Sequence, residues 1–276
     1  MAAKKDNFPN RLLKMTEVFC EDVPSQVRTR AFIDKLVNTL FSIRDNKNLS
    51  LEEIEADWEW LKSELGDILC PLTSKMDMAC NEAAEKFFSE IPIIYTQLLK
   101  DAEMYAACDP ASDCMEEVIL CYPGFYAVMV YRFANILYRL KIPILPRIMS
   151  EYAHSQTGIE IHPGATIGQN FYIDHGTGIV IGETCVIGRN VKLYQGVTLG
   201  AHFVDKSLSG KKRHPSIEDN VIIYAGATIL GGDTVIGHDT VIGGNVWVTE
   251  SVAPNSVVYH KPTTIIKEAH DKSNKS

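Results

Sequence analysis

The pattern of hydrophobic positions changes character near residue 158. From there to residue 259 an aliphatic side chain recurs every six positions, and a glycine often follows it. A period of six with a small following residue is typical of short strands joined by tight turns and stacked coil upon coil. The aliphatic positions are Ile161, Ile167, Ile173, Ile181, Ile187, Leu193, Leu199, Ile217, Ile223, Ile229, Ile236, Ile242 and Val248. The pattern predicts a parallel β-helix with three faces and about 18 residues per coil, whereas a β-sandwich would alternate with period two over longer runs.

Three irregularities interrupt this repeat. They are an interval of eight residues between Ile173 and Ile181, the polar loop 201–214, and one extra residue between Ile229 and Ile236. An irregular coil loses packing against its neighbours unless something replaces it. We therefore expect functional residues at these three breaks.

The chain before the repeat has helical periodicity, with apolar side chains three and four positions apart. Ser50 and Glu53 have the spacing of a capping box, which predicts the start of a helix. Proline removes a backbone donor and disfavours helix in the residue before it. We therefore expect Pro92 to separate two helices, at 74–90 and 94–107.

The two patterns together predict an α+β protein. Gly158 is placed to end the last helix before the repeat begins. The expected parts are an α-helical domain for capping and oligomerisation at 1–155, a β-helix at 156–262 and a flexible tail at 263–276. The helical domain would cover the apolar end of the first coil.

Composition and charge narrow the classes of function. The 276 residues carry a formal net charge of −8, which disfavours nucleic acid and anionic membranes as partners. The most apolar window, residues 128–149, contains four basic residues and two prolines, so it does not span a bilayer. The first six residues are not followed by the apolar stretch of a secretory signal. We therefore expect a cytoplasmic protein.

The cysteines do not form a recognisable framework. They number seven, an odd count, and no Cys-x-x-Cys occurs: Cys20, Cys70, Cys80, Cys108, Cys114, Cys121 and Cys185. Their spacing matches neither a zinc ribbon nor a set of disulfides. We interpret them as buried or half-buried thiols in a reducing cytoplasm.

The first break contains a candidate general base. His175 follows Asp174 in a glycine-rich turn, and Glu160 lies fifteen residues earlier, close to one coil away. A carboxylate that holds an imidazole fixes its tautomer and stabilises the imidazolium that forms. A turn histidine bonded to the backbone is an equally good interpretation of this spacing, so both stay open at this point.

Several segments together carry a specific resemblance. They are Gly-Ile-Glu-Ile-His-Pro-Gly-Ala at 158–165, Ile-Asp-His-Gly-Thr-Gly-Ile-Val-Ile-Gly-Glu at 173–183, Gln-Gly-Val-Thr-Leu-Gly at 195–200 and Lys-Arg-His-Pro at 212–215, with Asp-Pro-Ala at 109–111 and Tyr-Pro-Gly-Phe at 122–125 upstream. Over roughly residues 95 to 262 the chain resembles the serine O-acetyltransferases. The resemblance implies a left-handed solenoid and acetyl transfer from acetyl-CoA to the hydroxyl of L-serine, giving O-acetylserine for cysteine biosynthesis, with no metal.

The resemblance also implies roles for individual residues. His175 would be the general base, and Glu160, at a position where the family often has Asp, would be its partner. His214 would orient the substrate or assist at the thioester. Asp101 and Asp174 would bind the substrate ammonium. Arg213 would bind the substrate carboxylate, for which its planar fork is suited.

Coenzyme A would lie in the groove between adjacent solenoids. Its arm would run along the small residues Ala225, Gly226 and Ala227, although each of these also suits an ordinary turn. Backbone amides near Gly200 and Ala201 would meet the developing oxyanion. The lysines expected near the coenzyme phosphates are Lys206, Lys211 and Lys212, although a single lysine of this kind is more often just a solvated loop lysine.

The family resemblance also implies an assembly and a regulator. We expect a homotrimer with its sites between subunits; whether the helical domains pair two trimers into a hexamer stays open. L-cysteine, shaped like serine, is the expected feedback inhibitor. The family's tail typically ends in isoleucine where it docks into O-acetylserine sulfhydrylase, whereas this chain ends Asn-Lys-Ser. We therefore expect no tight complex with that enzyme through the tail.

Three rival functions remain. Another hexapeptide acyltransferase acting on a sugar or xenobiotic hydroxyl would share the solenoid, but not the combination of Asp174-His175 with Arg213-His214. A zinc carbonic anhydrase would need three converging histidines, for which His162, His175 and His214 could be proposed. A non-catalytic scaffold would show no turnover.

Overall fold

The computed structural model describes residues 7–19, 22–202 and 210–261. Its architecture is the predicted one, a helical domain followed by a left-handed parallel β-helix. The α-helices of the described chain are α1 (Phe8–Phe19), α2 (Gln26–Leu40), α3 (Leu51–Leu69), α4 (Cys80–Cys108), α5 (Met115–Cys121), α6 (Pro123–Arg139) and α7 (Leu145–Thr157). Lys206 and the tail, on which the expectation about the sulfhydrylase rests, lie outside the described residues.

Helix boundaries follow local capping chemistry. The Ser50 hydroxyl accepts the Glu53 N–H at 3.2 Å, and the Ser50 N–H donates to the Glu53 carboxylate at 2.8 Å, so the predicted capping box starts α3. Gly158 has φ 70° and its N–H donates to the His154 carbonyl at 2.8 Å, so the predicted glycine cap ends α7. Two predictions made from single residues are therefore confirmed.

The prediction that Pro92 separates two helices is wrong. Helix α4 runs unbroken for 29 residues with Pro92 inside it. Phe88 before the proline and Leu98 after it are both buried in the same core. One continuous helix keeps these apolar side chains on one face, whereas two separate helices would not hold them in line. That packing outweighs the roughly 3 kcal/mol that an interior proline costs. The Thr96 hydroxyl donates to the Pro92 carbonyl at 3.0 Å in the turn that follows.

Short parallel strands form the solenoid. They are β1 (Glu160–Ile161), β2 (Thr166–Ile167), β3 (Tyr172–Asp174), β4 (Val180–Ile181), β5 (Val186–Ile187), β6 (Lys192–Tyr194), β7 (Thr198–Gly200), β8 (Ser216–Ile217), β9 (Ile222–Ile223), β10 (Thr228–Leu230), β11 (Val235–Ile236), β12 (Val241–Ile242), β13 (Trp247–Val248) and β14 (Val257–Val258). Sheet A contains β1, β4, β7, β10 and β13, sheet B contains β2, β5, β8 and β11, and sheet C contains the rest. All thirteen aliphatic positions of the sequence pattern are buried.

The coils absorb the three irregularities without losing register. Val180 pairs with Thr198, eighteen residues later, which is the expected coil length. Glu160 pairs with Val180 after twenty residues, Thr198 with Thr228 after thirty, and Thr228 with Trp247 after nineteen. The strands stay stacked in register, so the extra residues are accommodated in the corners between the sheets.

A ladder of asparagines marks the corners between sheets B and C. Asn170, Asn190 and Asn220 all have left-handed backbones, with φ 57°, 57° and 61°, a conformation that asparagine tolerates. Asn170 Nδ2 donates to Asn190 Oδ1 at 2.8 Å, and Asn190 Nδ2 donates to Asn220 Oδ1 at 2.9 Å. Asn220 in turn donates to Asp239 at 3.0 Å. The ladder therefore ties four successive coils together at one corner.

A buried ion pair joins the helical domain to the first coil. Arg132 of α6 donates to Asp101 of α4 at 2.7 Å, and their side chains are only 4% and 0% exposed. Arg132 also donates to the Gly168 carbonyl at 3.0 Å, and Asp101 accepts the Phe171 N–H at 3.1 Å. The pair thus satisfies backbone groups of the solenoid that would otherwise be buried without partners.

The cysteines are more accessible than the sequence suggested. The six in the described chain are free thiols, and Cys185 is buried in the solenoid core. Cys70, Cys114 and Cys121 are exposed, so the expectation of buried or half-buried thiols is wrong for these three. They lie at the ends of helices, where the chain leaves the core.

Candidate functional site

The predicted general base lies on the C–A corner, which we define as the turns from sheet C to sheet A at 175–179, 195–197 and 224–227. His175 has a left-handed backbone with φ 55°, and Gly176 follows with φ 85°. A Cβ on Gly176 would overlap the Ile159 side chain beneath it, so only glycine fits this turn. The turn holds the His175 ring away from the core, with 73% of the side chain exposed.

Two carboxylates stand near this imidazole. Asp174 Oδ1 lies 3.8 Å from His175 Nε2. Asp109, which follows α4, accepts a hydrogen bond from the Tyr122 hydroxyl at 2.5 Å. This bond and one from the Ala111 N–H lower the pKa of Asp109, and His175 contributes a smaller electrostatic part. Asp174 and Asp109 therefore give the surface beside the exposed imidazole a negative charge, which suits an ammonium group.

Asp109 is a residue that the sequence reasoning missed. The segment Asp-Pro-Ala at 109–111 contributes to the family resemblance, but the sequence alone assigns no role to Asp109. Its position directly after an apolar helix is the signal that the sequence offers. A carboxylate that follows the last helical residue lies outside the helical core and can face a ligand.

The predicted role of Asp101 conflicts with its position. Its carboxylate is buried in the helical domain and occupied by Arg132 and the Phe171 N–H. Burial raises the pKa of Asp101, although the charge and hydrogen bonds of Arg132 act against it. A substrate ammonium has no access to this carboxylate, so we do not carry Asp101 into the proposed site.

Glu160 is half-buried on β1, on the coil below the His175 turn. Among the residues that the structure describes, no hydrogen bond joins its carboxylate to His175. The pairing therefore stays a prediction. The long side chain of Glu160 reaches outward from sheet A at the edge next to the C–A corner, since Ile159 and Ile161 on either side of it point into the core.

The other predicted residues lie on the A–B corner, which we define by the described residues 162–165, 182–185, 201–202 and 210–215. The Thr184 hydroxyl accepts the backbone N–H of Arg213 at 2.9 Å and that of His214 at 3.1 Å. The Thr184 N–H donates to His214 Nδ1 at 3.1 Å, which assigns the ring proton of a neutral His214 to Nε2. The ring lies directly on Gly182, where a Cβ would overlap it.

Arg213 is held by a second polar contact from the same corner. Its guanidinium pairs with Glu183, which also accepts a hydrogen bond from the Tyr138 hydroxyl at 2.8 Å. Burial acts to raise the pKa of Glu183, but the bonds from Arg213 and Tyr138 outweigh it and lower that pKa below its ordinary value. Glu183 therefore stays ionised and orients the Arg213 guanidinium, which also donates to the Lys211 carbonyl at 3.5 Å.

Burial keeps two histidines of this corner neutral. It lowers the pKa of His162 and of His214 to about 4, and positive arginines nearby add to the effect. Between pH 6.5 and pH 4 the unfolded chain therefore binds protons that the folded chain does not. By linkage, stability is present above pH 6.5 and falls as the pH decreases through this window.

We expect His214→Gln to reduce this loss of stability. The variant has one titrating group fewer, so its unfolding midpoint in urea should fall less steeply between pH 6.5 and pH 4 than that of the wild type. His260→Gln is the matched control, because His260 is exposed. An unchanged slope in His214→Gln would show that His214 does not carry a depressed pKa.

The two corners do not meet within one chain. His175 precedes sheet A and His214 follows it, so the width of that sheet separates them. The same separation applies to the zinc alternative, because His162 and His214 share the A–B corner while His175 does not. Within the described ranges, no group of three or more His, Cys, Asp or Glu side chains could hold a metal ion.

Small residues continue upward from the His175 turn. Gly178, Gly196 and Gly226 stack along the C–A corner, and a Cβ on Gly196 would lie 3.5 Å from the Gly226 backbone. Ala225 and Ala227 flank Gly226, and Ala227 is buried. The predicted coenzyme positions therefore form one column with the His175 turn.

The predicted oxyanion donors belong to the other corner, as do Lys211 and Lys212, the two predicted lysines that the structure describes. Gly200 ends β7 and Ala201 begins the loop, both beside the A–B corner. Lys212 Nζ donates to the carbonyls of Thr184 at 2.7 Å and Pro215 at 3.2 Å, so it braces the corner, whereas Lys211 is exposed. No helix in the described part of the chain is long and apolar enough to cross a membrane.

Comparisons with known proteins were made by family model, sequence and structure. No family model matches the chain. A plasmid serine acetyltransferase of Synechococcus elongatus is 49% identical over 183 residues, which cover 64% of this chain and 57% of that protein. The serine acetyltransferase of Bacillus subtilis is 44% identical over 174 residues, which cover 63% of this chain and 78% of that protein. The chain thus spans a little over half of the first relative.

Solved structures are similar over most of the chain. Serine acetyltransferase 1 of Entamoeba histolytica in complex with L-cysteine superposes with a TM-score of 0.76 at 36% identity, covering 83% of this chain and 86% of that one. The serine acetyltransferase of Neisseria gonorrhoeae in complex with serine has a TM-score of 0.60 at 26% identity, covering 85% of this chain and 97% of that one.

Proposed function

Because the chain belongs to the serine acetyltransferase family, we propose that it transfers the acetyl group of acetyl-CoA to the hydroxyl of L-serine, with His175 as the general base. The observation that carries the proposal is the exposed His175 imidazole on a glycine turn, flanked by Asp174 and Asp109. Neither carboxylate is occupied by a buried cation, in contrast to Asp101.

The proposed reaction begins with the serine hydroxyl beside His175 Nε2. The neutral imidazole takes the hydroxyl proton while the oxygen attacks the thioester carbon, because a serine hydroxyl alone is a poor nucleophile at neutral pH. The tetrahedral intermediate then collapses, the C–S bond breaks, and the imidazolium returns its proton to the departing thiolate. The products are O-acetylserine and coenzyme A, and the base is regenerated.

Binding of the amino acid uses both corners. Asp174 and Asp109 supply negative charge for the ammonium, and Arg213 with the Nε2–H of His214 supplies donors for the carboxylate. These donors lie on the A–B corner, so we propose that they come from a neighbouring chain in a trimer. Glu160 is proposed as the partner that orients His175 when substrate is bound.

Coenzyme A is proposed to lie in the groove between neighbouring solenoids. The column that ends at Ala225, Gly226 and Ala227 leaves room for its pantetheine arm, because small side chains let a ligand approach the backbone closely. The amides of Gly200 and Ala201 from the neighbouring chain are the proposed oxyanion donors. In this arrangement the thioester is proposed to lie near His175, at the end of the column.

L-cysteine is proposed as a feedback inhibitor of the same site. It has the ammonium and carboxylate of serine, so the contacts proposed for Asp174, Asp109 and Arg213 would hold it equally well. The presence of L-cysteine in the Entamoeba relative supports this proposal.

The proposal is tested by thiol release from acetyl-CoA with and without L-serine. We expect release that depends on L-serine and is much weaker with D-serine, whose ammonium and carboxylate reach the two corners in the wrong order. Release with a sugar or amine acceptor, but not with L-serine, would favour the rival acyltransferase. Absence of release with every acceptor would favour a scaffold.

A further inference from the structure

Two thiols of the helical domain stand sulfur to sulfur. The Sγ atoms of Cys70 and Cys80 are 3.7 Å apart, although nine residues separate them in the chain. Cys70 follows the last residue of α3 and Cys80 is the first residue of α4. A disulfide has an S–S distance of about 2.05 Å, so the two sulfurs need to approach each other by less than 2 Å.

The contact is built by the packing of the two helices. Leu69, which ends α3, and Leu72, two residues after Cys70, are fully buried in the core that also contains Ala83 and Ala84 of α4, so the end of α3 is fixed near the start of α4. The Thr73 hydroxyl donates to the Cys70 carbonyl at 2.7 Å, which shapes the short helical turn Cys70–Lys75. The turn therefore reverses the direction of the chain and brings the two thiols into contact. Cys70 is exposed and Cys80 is half-buried.

We propose that Cys70 and Cys80 form a reversible dithiol–disulfide site that exchanges with low-molecular-weight disulfides. The thiolate of one cysteine attacks a sulfur of the small disulfide, and the first small thiolate leaves and takes up a proton. The second cysteine then attacks the mixed disulfide, forms the intrachain bond and releases the second small thiolate, which also takes up a proton. The protein loses two electrons and two protons, and the small disulfide gains both.

Other thiols of the chain provide an internal comparison. Cys114 and Cys121 are also exposed, but no sulfur–sulfur contact is found for either within the described residues. They can form mixed disulfides with a small thiol, but they lack a contacting thiol to resolve them. The contact with Cys80 raises the pKa of the Cys70 thiol, so the exchange should speed up as the pH increases and thiolate forms.

An oxidised pair would change the mechanics of α4. This helix continues unbroken from Cys80 to Cys108, and Asp109 follows it directly beside the candidate site. A disulfide at its first residue fixes the start of the helix to the end of α3 and closes only a short loop of chain. The oxidised protein should therefore resist unfolding more than the reduced protein, mainly through the constraint on the unfolded chain.

The site is tested on the full chain with oxidised glutathione as the probe. After incubation, free thiols are blocked with iodoacetamide and the protein is digested with trypsin, which cleaves after Lys75 between the two cysteines. We expect the peptides 63–75 and 76–86 to be recovered as one disulfide-linked species that dithiothreitol separates. The peptide with Cys114 and Cys121 should instead carry glutathione or the blocking group.

Variants distinguish the proposal from ordinary surface reactivity. In Cys70→Ser, Cys80 should remain trapped as the glutathione mixed disulfide, and glutathione disulfide should no longer raise the unfolding midpoint. Cys114→Ser should behave as the wild type in both measurements. The proposal is overturned if Cys70 and Cys80 each carry glutathione without linking, or if the linked species appears only in covalent dimers on a non-reducing gel.

Discussion

His175→Ala is expected to lower kcat/KM for serine-dependent acetyl transfer by about 10² to 10⁴, the usual contribution of a positioned general base. The fold should be unaffected, because the His175 side chain is largely exposed and makes no packing contact that the core needs. The measurement is thiol release at saturating acetyl-CoA, together with the unfolding midpoint of the variant. A loss of activity with an unchanged midpoint assigns the effect to chemistry.

His238→Ala is the matched control for this experiment. His238 is also an exposed histidine beside a carboxylate, with Nδ1 2.7 Å from Asp239, but it lies on the corner between sheets B and C. It should retain wild-type activity. Equal losses in the two variants, or full activity in His175→Ala, would remove His175 as the base.

Mixing two inactive variants tests whether the site is shared between chains. When His175→Ala and Arg213→Ala chains are co-expressed with different tags, some interfaces of a mixed trimer combine an intact His175 with an intact Arg213 from the neighbour. Doubly purified trimers should therefore regain part of the activity. If mixed trimers are recovered and remain inactive, His175 and Arg213 do not serve one site between chains.

Asp101→Ala is expected to destabilise the protein by about 3 to 5 kcal/mol, as is typical when one partner of a buried ion pair is removed. The variant leaves the Arg132 guanidinium buried at 4% exposure without its counter-charge, and it frees the Phe171 N–H in the same place. Urea unfolding of the variant and the wild type measures the difference. Recovery of soluble protein should decrease in parallel.

Two comparisons define what this loss means. Asp219→Ala removes a partner from the exposed pair with Arg189, at 2.8 Å, and should lower the stability much less than Asp101→Ala does, because solvent screens an exposed pair. Asp101→Leu combined with Arg132→Met should recover only part of the stability, because no unpaired charge stays buried but the Phe171 N–H and the Gly168 carbonyl lose their partners. A raised KM for serine with unchanged stability in Asp101→Ala would restore the ammonium-binding role that the sequence suggested.

The solenoid was predictable because its physics is repetitive. A side chain that must stack on the coil below has to recur at the coil period, so positions such as Leu199 and Ile229 identify the fold directly from the sequence. Pro92 was misjudged for the opposite reason. Its local preference is clear in the sequence, but the shared core that keeps α4 continuous is a tertiary property.

The candidate site was less predictable, because only burial shows which of two aspartates can reach a ligand, and residue type does not. Asp101 and Asp109 are eight residues apart, and the motif alone does not distinguish them. Helical spacing does, because Asp101 lies on the face of Leu98 and Tyr105, both fully buried. Asp109 lies beyond the end of that helix. The proposed meeting of the two corners between neighbouring chains leaves no pattern in the residue spacing of one chain.

The asparagine ladder has a consequence for how such a protein diversifies. The coil that contains the loop 201–214 spans thirty residues between Asn190 and Asn220, yet their side chains still meet at 2.9 Å. An insertion at the A–B corner is thus mechanically isolated from the coils above and below it. Lengthening such a loop adds only a closure entropy, about 0.6 kcal/mol for each doubling of its length. The loop can therefore change in length and sequence while the scaffold keeps its stability.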